Sequence, residues 1–248
     1  MRHSAIWSWT VKIFMVALLA VGLTACGDGD EDEEPTEAAA TIAAPTTVTT
    51  DSSADAGGGG CWTDDQQVAD LNGKPQWSSA PALSIDPEGT YTARFETSMG
   101  GFTVELLAKD APQTVNSFVC LAREGYFDGI VVHRVVAGFV VQAGDPTGSG
   151  SRGPGYAFAD ELPTTLNYER GTLAMANSGP NTNGSQFFVC LDDLSQRLPK
   201  NYSIFGRVTE GLESVDAIGA VEVQPGPSGE MSSPVEPVSI TSVTVSEG

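Results

Sequence analysis

Positive charge is scarce in this sequence. Its 248 residues include 12 Lys and Arg against 32 Asp and Glu, which gives a formal net charge of −20 at pH 7. A protein that binds nucleic acid or an anionic membrane by charge needs a concentration of cationic side chains. The shortage therefore argues against nucleic acid as a partner and against electrostatic membrane binding.

Metal ligands are also few. The chain holds 2 His and 4 Cys, and their spacing does not resemble a metal site. Residues 144–155 are rich in glycine, but they lack the GxxxxGKS/T pattern and a helix does not follow with the right start. We interpret them as a shaped surface loop, and we expect no metal and no other cofactor.

The N-terminal apolar run is too short to cross a membrane as a helix. Residues 13–23 are apolar, whereas a span needs about 20 such residues. The run follows Arg2 and Lys12 and ends in Leu-Thr-Ala-Cys at residues 23–26, as is typical of a signal peptide. A cysteine in that place resembles the signal of a bacterial lipoprotein.

That resemblance implies a signal peptide at residues 1–25 and a lipidated Cys26 as the mature N-terminus. Each buried acyl CH₂, as in palmitate, adds about 0.8 kcal/mol to membrane binding, and more than one chain gives a stable anchor. We expect a lipid-anchored protein on the extracytoplasmic face of the cell membrane. The alternatives are an ordinary signal peptide with an incidental Cys26, or a retained transmembrane helix.

Residues 26–60 predict a disordered tether behind the lipidated cysteine. Ile42 and Val48 are their only large apolar side chains, and residues 28–37 carry seven carboxylates and no cation. Such a segment cannot bury enough apolar surface to fold. A specific acidic interaction tail is the alternative.

Three cysteines remain if Cys26 carries lipid, namely Cys61, Cys120 and Cys190. An odd number leaves at least one unpaired. Cys120 and Cys190 lie in apolar sequence, which favours buried thiols. A Cys120–Cys190 disulfide and a disulfide that contains Cys61 are both compatible with the sequence.

The remaining chain predicts an arm at residues 61–89 and one domain at residues 90–248. The arm is proline-rich and aperiodic, but it contains Trp62 and Trp77, which we expect to pack on the domain. Short alternating runs in the domain predict strands, and two runs with apolar residues three or four apart predict helices from Pro112 and around Val215. The predicted strands are residues 91–96, 102–106, 172–176, 186–191, 203–208 and 239–245. Many short strands with two helices indicate a barrel or a sandwich.

Residues 131–145 are the most informative stretch. They predict two short apolar strands, broken at Ala137 and Gly138, that contain one cation, Arg134, and one amide, Gln142. Burying such groups costs free energy unless both take part in interactions. We therefore expect Arg134 and Gln142 to belong to a functional site.

Two long motifs give a family resemblance over residues 91–245. Residues 133–145 and 175–188 resemble the two signatures of the cyclophilin peptidyl-prolyl isomerases, and residues 111–118 and Phe205-Gly206 fit the same pattern. The resemblance implies a mainly β fold, a closed eight-stranded antiparallel barrel capped by two α-helices.

The resemblance also implies the site residues. Arg134 matches the catalytic arginine, Gln142 the glutamine that braces it, and Phe139 and Phe188 the aromatic floor of a proline pocket. The implied substrate-binding residues are His133, Phe139, Val140, Gln142, Ala176, Asn177, Gln186, Phe188, Leu198 and Tyr202. His133 lacks a neighbouring carboxylate or second His in sequence, which favours a structural role for it.

The sequence departs from the family pattern at three points. Val140 stands where methionine is usual, and Tyr202 stands where the pocket has a histidine. All four tryptophans precede residue 78, so the tryptophan that grips cyclosporin has no counterpart. We expect weak cyclosporin binding.

The resemblance implies a peptidyl-prolyl cis-trans isomerase that acts on proline-containing polypeptides outside the cytoplasm and assists their folding. We expect a monomer. The alternative is a proline-peptide binding or holdase module in which turnover is incidental, and a more remote one is an adhesin that uses the barrel as a scaffold.

Overall fold

The computed structural model describes residues 60–248. The predicted signal peptide, Cys26 and the tether up to residue 59 lie outside the described residues. Within residues 60–248, the helices are too short or too polar to cross a membrane.

The described residues form twelve strands and two α-helices, preceded by a short 3₁₀ turn at Asp64–Gln66. In chain order the elements are β1 (Gln67–Leu71), β2 (Lys74–Trp77), β3 (Tyr91–Thr97), β4 (Gly100–Leu106), α1 (Pro112–Arg123), β5 (Arg134–Val136), β6 (Val140–Ala143), β7 (Thr172–Met175), β8 (Phe187–Cys190), β9 (Ile204–Glu210), α2 (Leu212–Gly219), β10 (Val223–Pro225), β11 (Met231–Pro234) and β12 (Ile240–Glu247).

Eight of these strands form one antiparallel sheet in the order β12-β3-β4-β9-β7-β8-β6-β5. The mainly β fold with two helices is confirmed, but the prediction of a closed barrel is wrong. Edge strands β5 and β12 share no ladder, because the residues that could join them, 129–132, make only isolated hydrogen bonds to residues 238–240. The chain just before β5 reaches the chain before β12 through isolated contacts, such as the 2.8 Å bond from Val132 N to the Val238 carbonyl.

The core lies between the curved sheet and the helices. In β3, Tyr91, Ala93 and Phe95 are buried and alternate with more exposed residues, as the sequence pattern predicts. Pro112 begins α1, where its missing N–H costs nothing. Phe118 of α1 meets Phe187 of β8 edge to face at 6.1 Å between ring centres, which joins the helix to the sheet.

The arm, residues 61–89, forms a hairpin and packs both tryptophans. Strands β1 and β2 pair across Asn72 and Gly73, both with positive φ, as a tight hairpin turn requires. The rings of Trp62 and Trp77 stack at 4.1 Å. Trp77 N donates to the Pro154 carbonyl at 2.8 Å, so the arm is bonded to the loop that follows β6.

A disulfide joins Cys61 of the arm to Cys120 of α1. Cys190 is a free, buried thiol whose pKa is raised to about 12, chiefly by burial. Of the pairings that the sequence left open, the structure therefore has one that contains Cys61. The disulfide links the start of the arm covalently to α1, at the point where the predicted tether ends.

A second hairpin, formed by β10 and β11, was not predicted. Residues 223–234 are rich in Gly, Pro and Ser and carry little apolar periodicity. The hairpin tip brings Glu230 beside β5, where it contacts Arg134.

Candidate functional site

Strand register gathers the polar and aromatic groups of the central stretch on one face of the sheet. Arg134 of β5 lies opposite Gln142 of β6, and Gln142 lies opposite Phe188 of β8. Directly opposed residues in antiparallel strands point to the same side. Val140 shares that side, because it is two residues from Gln142.

These side chains surround a cavity of about 120 Å³, which we call the Arg134 cavity. Its lining residues are Arg134, Phe139, Val140, Gln142, Ala176, Asn177, Phe188, Leu198 and Tyr202. The apolar members form a pocket beside a single cation. Such a pocket suits a small apolar ring whose neighbouring polar atoms need a hydrogen-bond donor.

A chain of amides holds the cation from one side. Arg134 Nη1 donates to Gln142 Oε1 at 3.4 Å, Gln142 Nε2 donates to Gln186 Oε1 at 3.1 Å, and Gln186 Nε2 donates to the Arg152 carbonyl at 2.9 Å. Each donor in this chain has an acceptor, so the orientation of Gln142 is set with its oxygen toward Arg134.

A carboxylate holds the cation from another side. Arg134 Nε donates to Glu230 Oε2 at 2.6 Å and Nη2 donates to Oε1 at 3.0 Å. The hydrogen bond from Arg134 lowers the pKa of Glu230 below its usual range. No local sequence pattern predicts this contact, since the two residues are 96 positions apart and Glu230 lies on a polar turn.

Phe139 lies beneath two cations. Its ring centre is 5.7 Å from Cζ of Arg134 and 5.2 Å from Cζ of Arg197. Arg197 also donates from Nη1 to the Gly138 carbonyl at 2.9 Å, which fixes it over the β5–β6 turn. Sequence reasoning missed Arg197, because it lies in a loop without a recognisable pattern.

The far wall of the cavity is built from Phe188, Leu198 and Tyr202. The Phe188 and Tyr202 rings meet edge to face at 5.4 Å. The backbone of Tyr202 is tied on both sides to the Tyr168 hydroxyl, which donates to its carbonyl at 2.9 Å and accepts from its N–H at 3.1 Å. Tyr202 therefore stands at a fixed place in the wall.

Two of the predicted substrate-binding residues lie outside the Arg134 cavity. His133 packs beneath Gly150 on the other side of β5, and both its ring nitrogens are buried with no hydrogen-bond partner in the described part of the chain. Burial, together with the nearby charge of Arg134, lowers the pKa of His133 despite the opposing effect of Asp145. Gln186 lines a neighbouring groove and reaches the cavity only through its bond to Gln142.

This neighbouring groove, which we call the side groove, has a volume of about 210 Å³. It shares Gln142, Ala176 and Asn177 with the Arg134 cavity. Its other wall is residues 150–154, whose backbone is bonded to the arm at Trp77. A peptide that binds with one residue in the Arg134 cavity can therefore place its adjacent residues along the side groove.

Comparison with known families gives a match over most of the domain. Residues 92–245 match the family described as cyclophilin type peptidyl-prolyl cis-trans isomerase/CLD. The match includes the Arg134 cavity, the β10–β11 hairpin and both helices, and it begins after the arm.

Curated relatives show the same similarity. Peptidyl-prolyl cis-trans isomerase CYP18-2 of Arabidopsis thaliana is 46% identical over 145 residues, which are 56% of this chain and 88% of that protein. Probable peptidyl-prolyl cis-trans isomerase B of Mycobacterium tuberculosis is 45% identical over 163 residues, which are 59% of this chain and 52% of that protein.

Solved structures agree on the fold. A cyclophilin type peptidyl-prolyl cis-trans isomerase of Cryptosporidium parvum superposes with a TM-score of 0.59 at 31% identity, over 64% of this chain and 99% of that one. A second structure of that protein, determined in the presence of the dipeptide Ala-Pro, gives a TM-score of 0.58 at 32% identity over 63% and 99% of the two chains.

Proposed function

This chain belongs to the cyclophilin-type peptidyl-prolyl cis-trans isomerases, and from that membership we propose that the Arg134 cavity is its catalytic site and Arg134 its catalytic residue. The enzyme catalyses rotation about X–Pro peptide bonds. The observation that carries the assignment is the convergence of one cation, one amide and an apolar pocket at a single cavity. The pocket takes the proline ring, and the cation faces the amide that rotates.

The chemistry requires few groups. Rotation is slow because the amide bond has partial double-bond character, with a barrier of about 20 kcal/mol. In the twisted transition state that conjugation is lost, and the prolyl nitrogen becomes a better hydrogen-bond acceptor. A fixed guanidinium that binds the twisted form more tightly than the planar forms therefore accelerates rotation.

The apolar walls strengthen this effect. Phe139, Phe188 and Leu198 exclude water from the proline ring and lower the local dielectric, which makes a hydrogen bond from Arg134 stronger. Gln142 orients the guanidinium without adding a competing charge. Ala176 and Asn177 lie where the cavity meets the side groove, and in this proposal they bind the residues next to proline.

A cis–trans exchange assay on the purified full chain with an Ala-Pro peptide tests the proposal. We expect the wild type to accelerate exchange and Arg134→Ala to lose most of the acceleration. Arg94→Ala is the matched control, since Arg94 is an ion-paired arginine on the outer face of β3. Equal rates for wild type and Arg134→Ala would overturn the assignment of Arg134.

We also propose that the enzyme acts outside the cytoplasm, held at the cell membrane by lipid on Cys26, where it assists the folding of other polypeptides. The signal-like sequence at residues 1–26 supports this. The Cys61–Cys120 disulfide supports it as well, because disulfides persist mainly in oxidising compartments.

Labelling of cells with a palmitate analogue tests the anchor. The full chain should incorporate the label and fractionate with membranes, whereas Cys26→Ser should do neither. Cys190→Ser is the control for general cysteine labelling, since that thiol is buried. Label retained in Cys26→Ser would contradict the proposal.

A further inference from the structure

The Glu230 carboxylate binds one edge of the Arg134 guanidinium. The carboxylate accepts from Nε at 2.6 Å and from Nη2 at 3.0 Å, so its two oxygens match two parallel N–H groups. A two-point contact between these planar groups fixes the guanidinium plane as well as its position. A contact to a single nitrogen would leave the plane free to rotate.

Two further contacts restrict the Arg134 side chain. Gln142 accepts from Nη1 on the opposite edge, and the ring of Phe139 lies 5.7 Å from Cζ. The Glu230 contacts are shorter than the 3.4 Å contact to Gln142. Glu230 is therefore the stronger constraint on a long side chain that would otherwise sample many rotamers.

The position of Glu230 is itself set by the tip of the β10–β11 hairpin. Gly226 N donates to the Glu230 carbonyl at 2.8 Å. Gly229 N donates to the Gly226 carbonyl at 2.9 Å, which closes the turn. Gly229 has a φ of +81°, a conformation that glycine adopts without strain. The hairpin tip thus presents the carboxylate to β5 from a defined turn.

We propose that Glu230 is a positioning residue for catalysis, which holds the Arg134 guanidinium in the orientation that meets the rotating amide. This inference rests on the proposed role of Arg134. Glu230 does not touch the proline ring, and it acts through Arg134.

The exposure of the pair indicates what its loss should change. The side chains of Arg134 and Glu230 are 28% and 41% exposed, so the pair is neither deeply buried nor fully solvated. Ion pairs this close to solvent contribute little to folding stability. Removing the carboxylate should therefore disturb the orientation of Arg134 more than the fold.

The test is a double-mutant cycle on the full chain, with exchange rates on an Ala-Pro peptide measured by NMR. Glu230→Ala removes the carboxylate, and Glu230→Gln keeps its shape without its charge. Glu236→Gln is the matched control, an exposed carboxylate six residues further along. Each variant is made with Arg134 present and with Arg134→Ala, and its melting temperature is measured.

We expect Glu230→Ala to lower kcat by about tenfold, as small misplacements of catalytic groups do, with KM within about twofold. Glu230→Gln should lie between Glu230→Ala and the wild type, and Glu236→Gln should match the wild type. In the Arg134→Ala background, Glu230→Ala should have no further effect. The Arg134 Nε–H resonance should shift and exchange faster with water in both Glu230 variants.

Three results would overturn the inference. An unchanged kcat in both Glu230 variants would remove the positioning role, and an increased kcat would mean that the carboxylate competes with substrate for Arg134. An equal loss in both backgrounds would assign the effect to the hairpin instead of to Arg134. The proposed function fails separately, if the wild type does not accelerate exchange or if Arg134→Ala retains full activity, and the inference then fails with it.

Discussion

Arg134 and Gln142 face each other across the β5–β6 ladder, with Nη1 of the arginine 3.4 Å from Oε1 of the glutamine. The tight connection between the two strands converts a separation of eight residues in the sequence into a direct cross-strand contact. The same register places Phe188 opposite Gln142. Backbone pairing thus places the cation, the amide and the aromatic wall side by side on one face of the sheet.

Gln142→Leu should lower the rate of catalysed exchange by about tenfold, because one support of the guanidinium is lost. Leucine keeps the approximate shape of the side chain, so the melting temperature should change little. Exchange rates on an Ala-Pro peptide measure the effect. Gln113→Leu, at an exposed position of α1, is the control and should retain the wild-type rate.

Phe188→Ala should weaken binding of proline peptides by about tenfold or more, since a buried aromatic wall of the pocket is removed. Titration calorimetry with a slowly turned-over peptide measures the affinity. Arg134→Ala tested alongside separates the two functions that the sequence left open. If peptide binding is the function and turnover is incidental, folding assistance to a client should survive Arg134→Ala and disappear with Phe188→Ala.

Phe188 is 5% exposed, so truncation to alanine also costs about 3–5 kcal/mol of stability. Phe188→Leu is therefore measured in parallel, and affinities are compared only between variants that remain folded. Unchanged affinity in both variants would exclude Phe188 from the binding site.

Cys61→Ser should destabilise the domain. The disulfide closes a loop with a sequence separation of 59, for which loss of chain entropy predicts about 4 kcal/mol. Urea titrations should give a lower free energy of unfolding for Cys61→Ser than for the wild type, and reductant should weaken the wild type but not the variant. Cys190→Ser should remain sensitive to reductant. Equal stability of oxidised and reduced wild type would contradict the structural role of the bond.

Asp145→Asn should change the pH dependence of stability. Burial alone would raise the pKa of Asp145, but hydrogen bonds from Thr147, Arg152 and Ser149 outweigh it and the pKa is lowered. A lowered pKa in the folded state contributes stability above the unfolded value of about 3.9, and that stability is lost as pH falls through the folded value.

The free energy of unfolding of the wild type should therefore fall more steeply below about pH 4 than that of Asp145→Asn. At neutral pH the variant should be the less stable of the two, since it loses charge-assisted bonds to residues 147–152. Urea titrations at several pH values measure both effects. Parallel pH profiles for the two proteins would contradict the assignment of this carboxylate.

Local sequence patterns predicted the elements that have strong periodicity. Strands β3 and β4 and helices α1 and α2 begin and end within a few residues of the expected positions, because alternation and helical spacing report a buried face directly. The hairpins β1–β2 and β10–β11 were missed, since β1 and β10 are mostly exposed and all four strands carry little apolar pattern.

Contacts between distant residues could not be predicted from such patterns. The pairing of Cys61 with Cys120 is one of several allowed by the cysteine count, and no local signal selects among them. The ion pair of Arg134 with Glu230 joins a strand to a polar turn. The open sheet edge depends on whether residues 129–132 pair continuously with residues 238–240, which no local pattern in either segment determines.

The most direct test of the account is a measurement of rate and affinity on the same samples of wild type and Arg134→Ala. If the guanidinium acts on the twisted amide, the catalysed exchange rate should fall by about 10²–10³ while the peptide dissociation constant changes by less than about threefold. Both quantities come from one NMR titration with an Ala-Pro peptide. A fall in affinity that accounts for the whole loss of rate would contradict transition-state stabilisation by Arg134.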